Sequence, residues 1–541
     1  MKEELSTHRA AALVSAAVAL SRVFGLLREL VFAAMFGAGK LLDAYLAAFQ
    51  IPNLLRDLFA EGALSTAFTT VFAKTWEKEG SEASWKLANR LFSALFTFMA
   101  LVSLLGILSA PALVWITNFG FSSVPGKLEL TIVLTRILFP FILLVSLAAS
   151  AMGILNARSV FGPPASASTA FNIVSVLLGV LLAYLFDPQN EPFHPRFGPR
   201  ALYGVCFGVL LGGLAQLAIQ VPPLSRLGYR YRWDTTWNDP HLQEIWKLML
   251  PTLLAGAAVQ INVLVNGAFA SQINGARSWL SCAFRLMQFP IGVFGVAIAT
   301  VTLPAVARDQ SRADFPSFGR RVRESLRLAF FLTVPSSLGL AVLAEPLVRL
   351  IYQHGRFTAD DTLQTAGALQ VYALGLSSYA AIKVLSPCFY ALDLPQIPLR
   401  VSLIGITINF LLNWIFMHLL HLGHLGLALS TSAVATLNCW QLWRALPREV
   451  ATENQKGWST FSLKLSLAAA ACTIVAYALE HGWVLQTRHG YSLALSLFTT
   501  VVTAAGVYFV AGRWLTLPEA TLLLQAARAR WARIYRGLVG V

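Results

Sequence analysis

The sequence predicts an all-α polytopic membrane protein of about 14 transmembrane helices, arranged as two pseudo-symmetric six-helix lobes plus two C-terminal helices. Three observations predict it. The 541 residues are 56% hydrophobic and only 12% charged, with a mean hydropathy of +0.63; soluble domains carry about 25% charged residues. Apolar runs of roughly 20 residues, each long enough to span a bilayer, recur along the whole chain. Those runs do not alternate apolar with polar over segments of about 10 residues, which excludes a membrane β-barrel.

The spans run roughly over 10–36, 43–73, 88–117, 128–155, 165–186 and 201–222, then 242–271, 280–307, 324–351, 362–390, 397–418 and 424–445, and finally 460–484 and 491–513. The first resembles a signal peptide, with Lys2 and Arg9 ahead of Ala10–Leu20. Its apolar run continues past Arg22 to Phe36, however, so it reads as an uncleaved span. Prolines interrupt many of the others: Pro52, Pro140, Pro251, Pro290, Pro304, Pro335, Pro346 and Pro387. Each removes a backbone donor and bends or breaks its helix. Within a bilayer such breaks are tolerated where the helix lines a cavity or is buried in protein.

Alternate loops differ in basic residues. One set holds Lys74, Lys78, Lys86, Arg90, Arg158, Arg226, Arg230, Arg232, Arg308, Arg312, Arg320, Arg321, Arg323, Arg400, Arg444, Arg448 and Lys456. The tail, with Arg528, Arg530, Arg533 and Arg536, belongs with it. The other set holds only Lys40, Lys127, Arg196, Arg200, Arg277, Arg356 and Arg488. The bias places the first set and both termini in the cytoplasm. The tail after Leu517 has the pattern of an amphipathic helix on the inner membrane surface.

Two halves overlay at an offset near 234 residues: Leu64–Lys74 falls on Ile298–Arg308, Tyr45-Leu46 on Trp279-Leu280, and Pro163…Asn172 near Pro398…Asn409. The domains expected are therefore an N-lobe over 1–222, a C-lobe over 242–446, two further spans over 459–513 and a tail over 514–541. Six spans per repeat keep the orientation, so the pseudo-axis runs along the membrane normal, an architecture suited to alternating access with the cargo between lobes.

Charges inside the apolar runs carry the functional reading. The first span holds Arg22, Arg28 and Glu29; the second has Asp43 at its outer end, then Arg56, Asp57 and Glu61; Arg136, Arg285 and Lys383 lie in the fourth, eighth and tenth. A cation at the bilayer centre costs about 2.5–3.5 kcal/mol on insertion scales and normally faces protein or a wet cavity. Internal pairing, such as Arg56 with Glu29 or Glu61, absorbs part of this charge. The six cations still outnumber the three comparably deep acids, Glu29, Asp57 and Glu61. Arginine's planar fork matches phosphate and carboxylate oxygens, so the surplus points to an anionic cargo, a phosphate or diphosphate.

Other classes are excluded. The net charge of +15 sits in short loops between spans, which argues against nucleic acid. Cys206, Cys282, Cys388, Cys439 and Cys472 are far apart, with no CxxC, and read as small apolar residues without disulfide or metal. His418, His421 and His424 read as an interfacial loop. Asn262 with Asn266, and Asn409 with Asn413, share helix faces and read as interhelical hydrogen bonding, with a monovalent-cation site as the alternative. Without a Walker A, HExxH or GxSxG motif, nothing suggests ATP hydrolysis or covalent chemistry; the chain is not expected to be an enzyme.

Several motifs resemble the MurJ/MviN family of lipid II flippases, within the multidrug/oligosaccharidyl-lipid/polysaccharide exporter superfamily. They are Ser21-Arg-Val-Phe-Gly-Leu-Leu-Arg-Glu29, Phe36-Gly-Ala-Gly39 with Asp43-Ala44, Pro52-Asn-Leu-Leu-Arg56, Phe59-Ala-Glu-Gly-Ala-Leu-Ser65, Arg285-Leu-Met-Gln-Phe-Pro290 with Gly292 and Gly295-Val-Ala297, and Lys383-Val-Leu-Ser-Pro387 with Phe389-Tyr390. The resemblance covers the first twelve spans. It implies a flippase moving undecaprenyl-diphosphate-linked peptidoglycan precursor from the inner to the outer leaflet of the bacterial cytoplasmic membrane. The family's cavity arginines fall on Arg22, Arg28, Arg56 and Arg285 and its outer acid on Asp43, with Arg277 a candidate partner; Glu29, Glu61 and Lys383 would support them. Phe284, Asp57 and Gln288 depart from the pattern of some members. No cofactor is implied, and the energy source would be the membrane potential or a monovalent cation. The expected partners are lipid II and the bilayer, with the chain a monomer. Another polyprenyl-diphosphate glycan is the alternative cargo. A drug/cation antiporter of the superfamily would need an acidic cavity.

Overall fold

The computed structural model describes residues 2–58, 64–187, 197–454, 457–484 and 490–525. Glu61, Arg196, Lys456, Arg488 and the tail arginines lie outside them. All regular structure among the described residues is helical, and ten helical stretches there are long and apolar enough to cross a membrane. These ten are fewer than the spans expected. One reason is α2, which has only 17 residues, among them Lys40, Asp43 and Arg56. The chain divides into two compact units, residues 1–278 with 354–358, and residues 279–353 with 359–541.

In the first unit, α1 (Lys2–Phe36) turns through Gly37-Ala38-Gly39 into α2 (Lys40–Arg56). Gly37 (φ 66°) is obligatory there, because a Cβ would sit 2.5 Å from the Arg356 carbonyl oxygen. The segment 354–358 completes this corner: the Arg356 amide donates to Ala34 O at 2.8 Å and its guanidinium to Phe197 O at 2.6 Å. Next, α3 (Leu64–Thr117) is two helical segments that meet at a non-helical Gly80 (φ 84°), so two expected spans part there, and the basic stretch expected between them near residues 74–90 is helical on either side of that glycine. The single span expected over 128–155 is two helices, α4 (Lys127–Leu138) and α5 (Phe141–Ala157). They part at Pro140, which has no amide hydrogen to continue the ladder.

Helices α6 (Gly162–Phe186) and α7 (Ala201–Ala218) make the closest pairing in this unit. Gly204 and Gly208 face the α6 backbone, where a Cβ at either would lie 2.4 Å from main-chain atoms. Small residues let membrane helices approach until van der Waals contact between backbones replaces the missing hydrophobic drive.

The unit extends beyond the expected boundary near 222. After α8 (Val221–Arg226), residues 227–239 run along α3 and lead into α9 (Pro240–Ala270). Arg90 pairs with Asp234 (3.1 Å) and Asp239, the Arg232 amide donates to Asn89 Oδ1, and Tyr229 packs against Trp85 and Phe92. Leu242, Ile245 and Met249 of α9 then join Phe68, Phe72, Leu91 and Leu95 in one core. These contacts place the expected seventh span with the first unit; the break falls at Ser278.

The second unit begins within α10 (Ala276–Pro290), which passes through a π-turn (Ile291–Gly295) into α11 (Val296–Ser311). There follow α12 (Phe315–Val342), α13 (Ala344–Tyr352), α14 (Ala359–Ala391), α15 (Gln396–Trp414), α16 (Gly423–Arg444), α17 (Arg448–Asn454), α18 (Trp458–Leu479) and α19 (Tyr491–Trp514). The centre is α14, packed by α11, α12, α13 and α16, with Phe318, Val322, Leu326, Val384, Leu385 and Phe389 as its core. The last two long helices dock on α12: the Tyr508 hydroxyl donates to Phe331 O at 2.6 Å, and Arg327, stacked on Phe461, meets Glu519 at 2.7 Å. All five cysteines are free, four of them buried.

Replacing Gly208 by leucine should drive α6 and α7 apart. Overpacking of this kind costs about 1–3 kcal/mol or more, so the unfolding midpoint in detergent should drop by several degrees, while leucine at exposed Gly506 leaves it unchanged.

Candidate functional site

The most tightly built polar cluster in the first unit lies where α2, α4 and α10 begin. Asp43 is in the first turn of α2, where the helix dipole favours an anion, and it is fully buried. Its Oδ2 accepts from Lys127 Nζ at 2.7 Å and the Gly275 amide at 2.8 Å; its Oδ1 accepts from the Ser278 amide at 2.9 Å and the Ser278 hydroxyl at 2.6 Å. Four donors on two oxygens, from two other segments of chain, fix this buried carboxylate.

Lys127, not Arg277, is the direct ionic partner. Its ammonium also donates to Asn274 Oδ1 at 3.0 Å and lies 4.2 Å from the Phe121 ring centroid, and the side chain is wholly buried. The Arg277 guanidinium is occupied by Asn118 Oδ1 and Gly267 O. Sequence reasoning left Lys127 among the sparse outer-loop cations. A signal was present: Lys127 opens α4, where the dipole disfavours a cation, so something else must hold it there.

The arginines are arranged differently. Arg28 on α1 lies over the Phe171 and Phe49 rings at 5.2 and 5.7 Å. Phe141 links the two by touching both rings. Gly25 and Asn172 bring α6 close to α1, and Asn172 Nδ2 donates to Ser21 O at 3.2 Å. Aromatic faces thus set the plane of the Arg28 guanidinium and leave its edge for polar partners. Arg22 is exposed six residues earlier on α1. Arg56 closes α2, about 20 Å along the helix from Asp43 at 1.5 Å per residue. It pairs with its neighbour Asp57 through Nε (3.2 Å) and a terminal nitrogen (2.8 Å). That pairing was not among the expected ones; the backbone turns π-helical at Asp57 and Leu58, and the widened turn lets adjacent side chains meet.

Glu29 is half-buried on α1. In the second unit Arg285 on α10 and Lys383 on α14 are both exposed, and Phe284 packs on Tyr372 and Tyr379. Arg136 of α4 is exposed with Nε on Ile107 O at 3.3 Å. Among the described residues no group of three or more His, Cys, Asp or Glu is placed to hold a metal ion.

A family model described as "Lipid II flippase MurJ" matches residues 32–498. A Vibrio cholerae protein named "Probable lipid II flippase MurJ" is 34% identical over 469 residues, covering 85% of this chain and 87% of its own. The "Lipid II flippase MurJ" of Burkholderia cenocepacia is 31% identical over 513 residues, covering 93% and 96%. The solved structure titled "Lipid II flippase MurJ, inward closed conformation" matches with a TM-score of 0.74 at 26% identity, over 93% of this chain and 98% of that one. An inward-facing multidrug resistance MATE family transporter shares the fold, with a TM-score of 0.64 at 13% identity over 83% and 99% of the two chains.

If the rings orient Arg28, Phe171→Leu, which keeps apolar bulk but removes the π-face, should weaken binding of an undecaprenyl-diphosphate ligand. A cation–π contact is worth about 0.5–2 kcal/mol, so titration should read a loss of roughly threefold to thirtyfold with expression unchanged.

Proposed function

Because the chain belongs to the MurJ family of lipid II flippases, we propose that it transports lipid II across a bacterial membrane, with Arg22, Arg28, Arg56 and Arg285 holding the diphosphate. The observation that carries this reading is the family match over most of the chain, joined to a surplus of arginines in apolar helices. It is a transporter, not an enzyme. The site assignment draws on the physical state of the side chains. Arg28 is presented on aromatic faces, and Arg22 and Arg285 are exposed on their helices, so all three suit a multivalent oxyanion. Arg56, paired with the carboxylate of Asp57, would exchange it for a more highly charged ligand. Glu29, Glu61 and Lys383 tune the charge around them, and Asp43 acts at the outer gate.

In this reading the chain is a monomer in the cytoplasmic membrane with both termini inside, and alternating access carries the headgroup while the polyprenyl tail stays in lipid. The inside-negative potential contributes about 2.3 kcal/mol per charge per 100 mV. It favours outward movement of the diphosphate and return of an empty cationic carrier, so no bound coupling ion is required. Another polyprenyl-diphosphate glycan would satisfy the same arginines; the sugar alone separates the two.

Arg22→Ala and Arg285→Ala should each abolish transport with normal membrane insertion. The assay is complementation in cells depleted of their own lipid II flippase, with inner-leaflet lipid II measured directly; normal growth of both mutants would sink the site assignment. Accumulation of a different lipid-linked glycan on depletion of this chain in its native cell would favour the alternative cargo. Collapsing the electrical potential while holding ion gradients constant should slow export several-fold. Removing sodium alone should leave it unchanged.

A further inference from the structure

We propose that Lys127 is a positioning residue for transport: through Asp43 it holds the first turn of α10, the helix that carries Arg285 two turns further on. The inference rests on the lipid II reading for its activity readout, not for its structural one.

Lys127 has three donor hydrogens and is wholly buried. Asp43 and Asn274 take two of them, and the ammonium lies on the Phe121 ring. Asp43 in turn accepts the amides of Gly275 and Ser278 and the Ser278 hydroxyl, so it caps α10 from a distant part of the chain. One carboxylate therefore has two tasks, pairing an ammonium and terminating a helix. An apolar pair of the same volume would pack there without desolvating two charges, and buried ion pairs are kept in several proteins because they fix register. Asn274 ties the same ammonium to the loop immediately before the capped turn. Arg277 cannot stand in for Lys127, because its guanidinium is committed to Asn118 and Gly267.

Lys127→Met removes the ammonium but leaves the three donors from the α10 turn on Asp43. The expected result is at least tenfold slower lipid II export with lipid II binding within twofold of the parent. Hydrogen exchange at the Gly275–Ser278 amides of the full-length protein should also be at least tenfold faster. Lys127→Arg should restore part of both. The charge-reversed pair, Asp43→Lys with Lys127→Asp, should restore neither: it keeps an ion pair, but a lysine cannot accept from the α10 amides. Should Lys127→Met fold poorly, Asn274→Ala leaves the ion pair intact and should still loosen the turn. Full activity of Lys127→Met, unchanged protection of the turn, or rescue by charge reversal would each overturn the proposal. A parent protein that exports no lipid II would refute the functional reading instead, and the exchange measurement would still decide the role of Lys127.

Discussion

Asp43 and Lys127, a carboxylate and an ammonium that are both fully buried, are each surrounded by partners of the right kind. Removing one partner of such a pair leaves an uncompensated buried charge, which is strongly destabilising. Together they bind the beginnings of α2 and α4 to the turn that opens α10, which fixes where each of these helices enters the apolar layer. Smaller polar joints lie beside it, among them Lys40 on Pro125 O, the Gly120 amide on the Ser271 hydroxyl and Arg277 on Asn118 and Gly267 O.

The arginines show the opposite arrangement. Where Asp43 is saturated with donors, Arg22 and Arg285 are exposed. Arg28 is stacked on aromatic rings, and Arg56 pairs with the acid next to it. Saturated charge serves architecture, since it leaves nothing with which to bind. Accessible charge of one sign costs solvation in the empty protein and recovers it on a ligand of the other sign. The two kinds sit at opposite ends of the same helix, α2.

Membrane class and helical content were legible, and the arginines within apolar runs stood out, because each follows from local sequence: run length, period and the cost of a charge within an apolar run. Helix breaks were legible where a proline makes them, as at Pro140; the π-turn at Ile291–Gly295 was not, because hydropathy reads straight through a change of backbone geometry. The kinship of α9 with the first unit was hidden for another reason: it depends on Leu242, Ile245 and Met249 meeting Phe68 and Leu91, contacts that no periodicity encodes. The partner of Asp43 was out of reach in the same way, 84 residues along the chain, although the misplaced cation at the head of α4 hinted at it. The pairing of Arg56 with its immediate neighbour Asp57 also went unread, since helix spacing rules look three and four residues away and not to the next one.

The corner at Gly37 has a consequence for biogenesis. The first unit is not one stretch of chain: residues 354–358 supply the donors to Ala34 O and Phe197 O. During synthesis the Phe197 carbonyl waits for a donor 159 residues further along the chain, and the Ala34 carbonyl for one about twice as far. The amino-terminal half is therefore inserted long before it is finished, and a truncated chain ending before His354 would present the translocon with a bundle whose last corner is missing.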